Sequence, residues 1–250
     1  MRQAVLACHR IQACCCRLYP LKGKDLPVDP LLILPLAVAP GIFWMFYFYL
    51  KDRYEPEPPA AVIRIFLLGG LVVIPAAFLE LLASYVVPAF LLTVAAGPLI
   101  EEFAKFGVVR GFVYDSPEFD EPMDGIIYAV AAALGFATLE NVLYVGTSAL
   151  TSVPLALGVA AVRAFLSVPA HALISLSWRA ALGWAKFMPP ARGRAVVAAG
   201  FLFAVLLHGI FNFMVTGSFT LVVLVILIVP LAWVVSGLVI HRTLERERRG

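Results

Sequence analysis

Ionisable and amide side chains interrupt four long apolar segments of this chain. They are Glu101, Glu102 and Lys105 in AAGPLIEEFAKFGVV, Glu140 and Asn141 in ALGFATLENVLYV, His171 in FLSVPAHALISLSW, and His208 with Asn212 in FAVLLHGIFNFMV. A charge near the centre of a lipid bilayer costs about 2.5–3.5 kcal/mol on insertion scales. If these segments cross a membrane, each charge must therefore be paired, face water or serve a function.

The spacing of these residues places several of them on shared helix faces, because positions four apart are neighbours on a helix. The pairs are Glu101 with Lys105, Phe136 with Glu140, and His208 with Asn212. A carboxylate can take a proton from water, and an imidazole can bind a metal or donate to a developing oxyanion. Asn212 can orient His208 or polarise a carbonyl. Four helices can thus direct the components of a hydrolytic site towards one interior.

Each of these residues also has a purely structural explanation. Glu101 or Glu102 can form a neutralised pair with Lys105, and a buried histidine is often a hydrogen-bonded packing residue. Other residues with such explanations are Asn141 as a bridge between helices, Phe136 as core, and Glu80, Arg64 and Arg163 as pairing residues near helix ends. The presence of Glu or His on each of four separate helices nevertheless favours one shared site over four unrelated structural pairings.

The composition supports the assumption that these segments cross a membrane. Of the 250 residues, 62% are hydrophobic and 14% are charged, whereas soluble domains are about 45–50% apolar. At about 20 residues per span, this length allows at most about seven or eight helices and no separate soluble catalytic domain. A net charge of +3, with no motif that reads bases, argues against nucleic-acid binding.

Polar or proline-rich breaks divide the chain after Asp29 into seven apolar lengths. They lie at about 31–50, 61–83, 86–112, 125–148, 153–178, 195–215 and 219–240. The predicted fold is an all-α, polytopic transmembrane helical bundle of about seven spans with a central polar cavity. Three parts of the chain are predicted, namely a polar leader at 1–29, a single transmembrane domain at 30–241 and a basic tail at 242–250.

The leader contains all four cysteines of the chain, Cys8, Cys14, Cys15 and Cys16. They lack the paired C-x-x-C spacing of a zinc site, and neighbouring residues on one helix cannot all face one ion. Incidental surface thiols are the simpler interpretation, and acylation near a membrane span is the alternative.

Two connections and the basic residues indicate how the helices cross the membrane. KDRYEPEPP at 51–59 contains three prolines and mixed charge, so we expect it at an aqueous surface. The second connection is acidic through Asp115, Glu118, Asp120, Glu121 and Asp124, which favours a solvated loop over a cation or partner site. With the N-terminus outside, the inner side holds eleven Lys and Arg against five in the leader. The positive-inside rule therefore predicts a cytoplasmic C-terminus.

The ordered motifs on these spans resemble the PrsW-type intramembrane proteases over most of residues 40–215. IEEFAKF is similar to an EExxK motif, GFATLEN to FxxxEN, HALIS to HxxxG and HGIFNF to Hxxx(D/N). The family is related to the CAAX-processing and bacteriocin-processing membrane proteases. The resemblance implies an integral membrane enzyme, in the plasma membrane, that hydrolyses peptide bonds of membrane-anchored proteins. For this branch it also implies cleavage of an anti-sigma factor as the first step of stress signalling.

The resemblance also implies roles for individual residues. Glu101 and Glu102 are the candidates for water activation, with Lys105 as their motif partner. The implied metal or oxyanion-site residues are Glu140, His171 and His208, accompanied by Asn212, with Phe136 and Asn141 in supporting positions. Ser175 stands where the motif has glycine, and we expect it to widen a helix contact without affecting the chemistry.

Two questions stay open from the sequence. Two histidines and one glutamate suit Zn²⁺ with an open fourth position, and the family is classed as metalloproteases. Against a metal, H-E-x-x-H is absent, and Glu-activated water with His and Asn as oxyanion donors would suffice. The competing function is a transporter or channel that uses the same residues as a proton or ion path. A membrane scaffold is a third alternative, although packing alone does not require so many ionisable groups.

Overall fold

The computed structural model describes residues 30–52 and 55–216, together with Val234 and Leu238. Within this part of the chain every regular element is helical. The α-helices are α1 Pro30–Tyr49, α2 Pro59–Leu71, α3 Val73–Ala83, α4 Ala89–Leu91, α5 Gly97–Phe112, α6 Pro122–Ala149, α7 Val153–Val162, α8 Val168–Ile174, α9 Leu176–Lys186 and α10 Pro190–Thr216. The predicted leader and basic tail, and all of the seventh span except those two residues, lie outside the described residues.

The described helices confirm an all-α membrane architecture. Four are long and apolar enough to cross a bilayer, namely Pro59–Ala83, Pro122–Ala149, Val153–Lys186 and Pro190–Thr216. Ile33–Tyr49 is a shorter apolar helix. Six of the seven predicted segments are therefore helical in the described ranges, and the total of seven spans stays a prediction.

Helix α6 lies at the centre of the bundle, and nearly every residue in its first half is buried. Its small residues allow other helices to approach closely. A Cβ atom on Gly135 would lie 1.8 Å from the carbonyl oxygen of Phe66 in α2, and one on Gly69 would lie 2.1 Å from that of Ala132. The contact between α2 and α6 is thus backbone against backbone, which holds the polar residues of α6 inside the bundle.

Prolines cause the irregular turns that precede two site helices. A proline lacks an N–H group, and its ring clashes with the carbonyl four residues earlier. For Pro98 and Pro169 those carbonyls belong to Val94 and Phe165, which lie in the π-helical segments Leu92–Ala96 and Arg163–Ser167. The helix continues through each π segment without a break. Gly97-Pro98 therefore follows a widened, π-helical turn before Glu101, and the helix is not interrupted.

The two polar connections are less solvated than the sequence predicts. Asp115, Glu118 and Asp120 are exposed as expected, but Asp124 is buried. Its carboxylate caps α6 by accepting from the N–H of the N-cap residue Glu121 at 2.5 Å, and it also accepts from the Asp120 N–H at 2.8 Å. The solvated-loop prediction is therefore wrong for Asp124.

Part of the KDRYEPEPP connection is also buried. Asp52 and Glu57 are only 5% and 4% exposed. Asp52 accepts from the Glu57 N–H at 3.2 Å, and Glu57 accepts from the hydroxyl of Tyr128 in α6. Burial raises the pKa of Asp52 to about 6 and that of Glu57 to about 9. The aqueous-surface prediction is therefore wrong for these two residues, which attach the connection to α6.

Candidate active site

The helices bring the carboxyl and imidazole side chains of the four polar segments together. Glu101 and Glu102 lie on α5, Glu140 on α6, His171 on α8 and His208 on α10. His171 Nε2 is 3.0 Å from Glu140 Oε2, and His208 Nδ1 is 3.0 Å from Glu102 Oε1. Glu101 Oε2 is 3.7 Å from His208 Nε2 and 4.0 Å from His171 Nδ1. These residues and Lys105 are called the site cluster below.

Lys105 is a fully buried cation within the site cluster. Its Nζ lies 2.9 Å from Glu102 Oε1, 3.2 Å from Glu101 Oε2 and 3.0 Å from His171 Nδ1. It also lies 4.4 Å from the ring centre of Phe136, which is buried on α6. Lys105 therefore pairs with both neighbouring carboxylates, and Phe136 supports the ammonium through its ring face.

Glu102 is held from several directions. Its Oε1 faces Lys105 and His208, while its Oε2 accepts from Ser175 Oγ at 2.7 Å and from Trp178 Nε1 at 2.9 Å. Its side chain is completely buried, whereas that of Glu101 is 11% exposed. Glu102 is thus positioned to fix its neighbours, and Glu101 is the more accessible carboxylate.

Glu140 and Asn141 are both bound by Arg163 of the second π segment. Glu140 Oε2 lies 2.7 Å from an Arg163 guanidinium nitrogen, and Asn141 Oδ1 accepts from Arg163 Nε at 2.9 Å. Asn141 also donates to the carbonyl of Ala37 in α1 at 2.7 Å. Asn141 therefore bridges helices, which was its structural explanation. Glu140 reaches the site cluster through His171 while Arg163 neutralises its charge.

The structure places Asn212 outside the site cluster. Its amide nitrogen donates to the carbonyl of Thr93 in the first π segment at 3.1 Å. This bond satisfies a carbonyl next to the proline-induced irregularity and holds α10 against that segment. The described contacts therefore give Asn212 a helix-joining role, not the orientation of His208 that its spacing suggested.

Two contacts of the site cluster were not assigned from the sequence. Ser175 donates to Glu102, so it contacts the site instead of only widening a helix contact. Trp178 also donates to Glu102. The pairing role that the sequence suggested for Arg163 is confirmed by its contact with Glu140. The one available signal was Trp178, because a tryptophan N–H within an apolar helix usually needs an acceptor.

Glu80 adds a fourth carboxyl group near the site. It lies on α3, is half-buried, and interacts electrostatically with Glu101, Glu140 and Lys105. The sequence suggested only an interface or pairing role for it. Four carboxyl groups thus surround two cations, Lys105 and Arg163, so the region carries a surplus of acidic groups.

One group of side chains in the described residues has the geometry to hold a metal ion. One ligand atom from each of Glu101, His171 and His208 lies within 4.8 Å of the others. The second ring nitrogen of each histidine faces a carboxylate, Glu140 for His171 and Glu102 for His208. Such carboxylate–histidine pairs are typical around zinc. The Lys105 ammonium contacts His171 Nδ1 and Glu101 Oε2, so it must move aside for these atoms to bind an ion. With that shift the donor set fits a divalent metal, with Glu101 in the ligand position that the sequence gave to Glu140.

Comparisons with known proteins identify the family of this chain. Residues 57–235 match a family described as PrsW family intramembrane metalloprotease. Protease PrsW of Geobacillus kaustophilus is 43% identical over 189 residues, which cover 73% of this chain and 79% of that protein. Protease PrsW of Bacillus subtilis is 35% identical over 191 residues, which cover 74% and 83%. No solved structure gives a significant match.

These matches favour proteolysis over the transport alternative. Protease PrsW of Oceanobacillus iheyensis is 36% identical over 211 residues, which cover 82% of this chain and 93% of that protein. The matched region contains every member of the site cluster. The chain is an integral membrane protease and belongs to the PrsW family of intramembrane metalloproteases.

Proposed function

We propose that this protein is an endopeptidase that hydrolyses a peptide bond in or near the membrane-spanning part of an anchored protein. The reaction centre is Glu101 with His171 and His208. The observation that carries this proposal is the position of Glu101 Oε2, which faces both imidazoles at 4.0 and 3.7 Å. The Glu101 side chain is 11% exposed, whereas that of Glu102 is fully buried. A substrate and water must reach the reacting group, which favours Glu101.

The other members of the site cluster position the reacting groups. Glu102 accepts a hydrogen bond from His208 Nδ1, which directs His208 Nε2 towards Glu101. Glu140 likewise accepts from His171 Nε2, which directs His171 Nδ1 towards Lys105 and Glu101. Lys105 balances the two adjacent carboxylates. This arrangement holds both imidazoles in one orientation before substrate binds.

A metal would be held by Glu101, His171 and His208. A bound Zn²⁺ or similar ion supplies a Lewis acid that polarises the scissile carbonyl and makes water a stronger acid. The surplus of carboxyl groups around the site cluster favours a divalent cation there. In a metal-free reaction, Glu101 instead takes the proton from the attacking water, and protonated His208 donates to the developing oxyanion through Nε2.

The proposed substrate is a membrane-anchored regulatory protein such as an anti-sigma factor, cleaved as a first step in signalling. This class of substrate suits a centre that lies between apolar helices. We propose that residues 30–241 form one protease domain in the plasma membrane, followed by a cytoplasmic tail at 242–250. The basic residues near the ends of α5 and α9 support this orientation.

The full chain, purified in detergent, tests the proposal with a single-span peptide as substrate. The wild-type protein should release two fragments, and Glu101→Gln should release none at a comparable enzyme concentration. Glu118→Gln is the matched control, because Glu118 is exposed in the loop after α5 and does not belong to the site cluster. It should cleave at the wild-type rate.

The same preparations reconstituted in liposomes distinguish proteolysis from transport. We expect cleavage without proton or ion flux. Flux in the absence of any cleavage, lost in Glu101→Gln, would refute the protease assignment of the site.

A further inference from the structure

A groove outside the site cluster opens between α5, α9 and α10. Its volume is about 690 Å³. Phe103 and Phe106 of α5 and Val197 and Phe201 of α10 line its apolar part. Phe103 is 66% exposed, so this part of the groove faces the surroundings of the bundle and is not closed by the described helices.

Cationic side chains gather at one end of the same groove. Arg110, Lys186 and Arg194 line it together with a single acidic residue, Asp115. Arg110 pairs with Asp115. Lys186 donates to the backbone carbonyls of Tyr114 and Phe119, which leaves its charge without a carboxylate partner among these contacts. Three cations and one anion leave two positive charges at the mouth of an apolar groove.

The basic end lies at the edge of the bundle. Arg110 is in the last turn of α5, Lys186 is the last residue of α9, and Arg194 is near the start of α10. The connections after α5 and α9 meet at this end, where α6 also begins. A long apolar surface that ends in cations at a helix boundary matches the shape and charge of one lipid molecule, with acyl chains in the bilayer and a phosphate at its surface.

We infer that this groove binds one anionic phospholipid. The headgroup phosphate contacts Arg194 and Lys186, and an acyl chain lies along Phe103, Phe106 and Phe201. Basic pockets between transmembrane helices are known to bind anionic headgroups, with about 1 kcal/mol per basic residue near an anionic surface. The two unmatched positive charges select against zwitterionic lipids. The inference does not depend on the proposed reaction.

The groove is adjacent to the site cluster without being part of it. Phe106 packs edge-on against Trp178, with ring centres 5.4 Å apart. Trp178 in turn donates to Glu102. An acyl chain against Phe106 would therefore stabilise the helices that hold Glu102, so lipid binding should also raise the thermal stability of the protein.

The headgroup contact can be tested by native mass spectrometry of the full chain, released from detergent after incubation with phosphatidylglycerol or phosphatidylcholine. We expect one retained phosphatidylglycerol and no retained phosphatidylcholine. Arg194→Gln should weaken phosphatidylglycerol binding about fivefold, which corresponds to about 1 kcal/mol per basic residue. Arg192→Gln is the matched control, because Arg192 is exposed in the same turn of α10 but does not line the groove.

The acyl-chain contact needs a second pair of variants. Ala198 lines the groove, whereas Ala199 next to it does not, and both are exposed on α10. Ala198→Trp should abolish retention of phosphatidylglycerol and its stabilising effect, and Ala199→Trp should preserve both. Inorganic phosphate alone should not raise the thermal midpoint, because it lacks the chain that fills the groove.

Three results would overturn the inference. Equal retention of the two lipids would show that the cations do not select a headgroup. Equal stabilisation by inorganic phosphate would reduce the site to a free-anion site. Unchanged lipid retention in Ala198→Trp, with a loss of thermal stability or of peptide cleavage, would assign the groove to a segment of this chain or to a protein partner.

Discussion

Glu101 and Glu102 are adjacent in the sequence but have different surroundings in the site cluster. Glu102 is fully buried and its two oxygens contact Lys105, His208, Ser175 and Trp178. The Glu101 side chain is 11% exposed. The sequence identified both as candidates for water activation, and neighbouring residues on a helix point about 100° apart. The proposed assignment of Glu101 to the reaction depends on this difference.

Replacing each glutamate with glutamine should separate these roles. Glu101→Gln removes a base or ligand but little packing, so cleavage should fall about 10²–10⁴-fold while the thermal midpoint changes little. Glu102→Gln replaces one carboxylate oxygen by an NH₂ group, which cannot accept the bonds that this oxygen now receives. It should therefore destabilise the protein by about 3–5 kcal/mol, the usual cost of breaking a buried ion pair.

Initial cleavage rates and thermal midpoints of both variants, measured in the same detergent, check this prediction. A stable Glu101→Gln protein that cleaves at the wild-type rate would remove Glu101 from the reaction. Normal stability of Glu102→Gln would contradict its positioning role.

At the scale of elements, the contact between α2 and α6 depends on glycine. Gly135→Ala would bring a Cβ atom to 1.8 Å from the Phe66 carbonyl oxygen. Backbone cannot yield as a flexible side chain can, so we expect a loss of at least about 1–3 kcal/mol from overpacking. Gly146→Ala in the same helix is the matched control, since nothing lies within 4 Å of its Cβ position. It should gain about 0.5–1 kcal/mol from the better helix propensity of alanine.

Thermal unfolding of both glycine variants in one detergent measures this difference. A Gly135→Ala protein as stable as Gly146→Ala would mean that α2 and α6 do not approach as closely as the structure shows.

The connection between α1 and α2 should make stability depend on pH. Burial first, and then the hydrogen bond with Asp124, raise the pKa of Glu57 from 4.5 to about 9. Between these values the unfolded chain has released the Glu57 proton while the native protein keeps it. The unfolded state therefore binds fewer protons, and the free energy of unfolding falls as pH rises through this window. Asp52, with its pKa raised by burial to about 6, acts in the same direction at lower pH.

Glu57→Gln should reduce this pH dependence, because glutamine stays neutral in both states. The thermal midpoint of the wild-type protein should fall from pH 5 to pH 9, inside the window from 4.5 to about 9, and that of the variant should fall less. Glu118→Gln is the control, since the pKa of Glu118 is lowered by its hydrogen bond with Ser116 and the residue is ionised across the window. Identical slopes for the wild type and Glu57→Gln would contradict the assignment.

At the scale of the whole molecule, three helices contribute the candidate metal ligands. We expect elemental analysis of active protein to find about one Zn²⁺ or similar ion per chain, as in sites with three protein ligands. His171→Ala and His208→Ala should each lose the metal. Asn212→Ala should keep it, because Asn212 bonds to the Thr93 carbonyl and not to the site cluster. Full cleavage by a chelator-treated, metal-free preparation would contradict the metal-dependent reaction. It would support hydrolysis by water that Glu101 deprotonates.

The sequence by itself determined the class of protein and named the candidate residues of its site. Apolar length and the high cost of an intramembrane charge are local properties, so they identified six of the described helical segments and singled out Glu101, Glu102, Glu140, His171 and His208. Spacing of four residues also predicted the pairing of Glu101 with Lys105, which the structure shows at 3.2 Å.

Only the tertiary structure determined which of these groups contact one another. Glu140 is bound by Arg163, 23 residues later, and Glu102 by Trp178, 76 residues later. Glu57 and Asp124 are ionisable residues in two polar stretches of the sequence, yet both are buried where these connections meet α6. Helical periodicity specifies which side chains share a face of one helix. It does not specify which faces of different helices meet, because that depends on close backbone contacts such as that of Gly135 and on the π turns before Glu101 and His171.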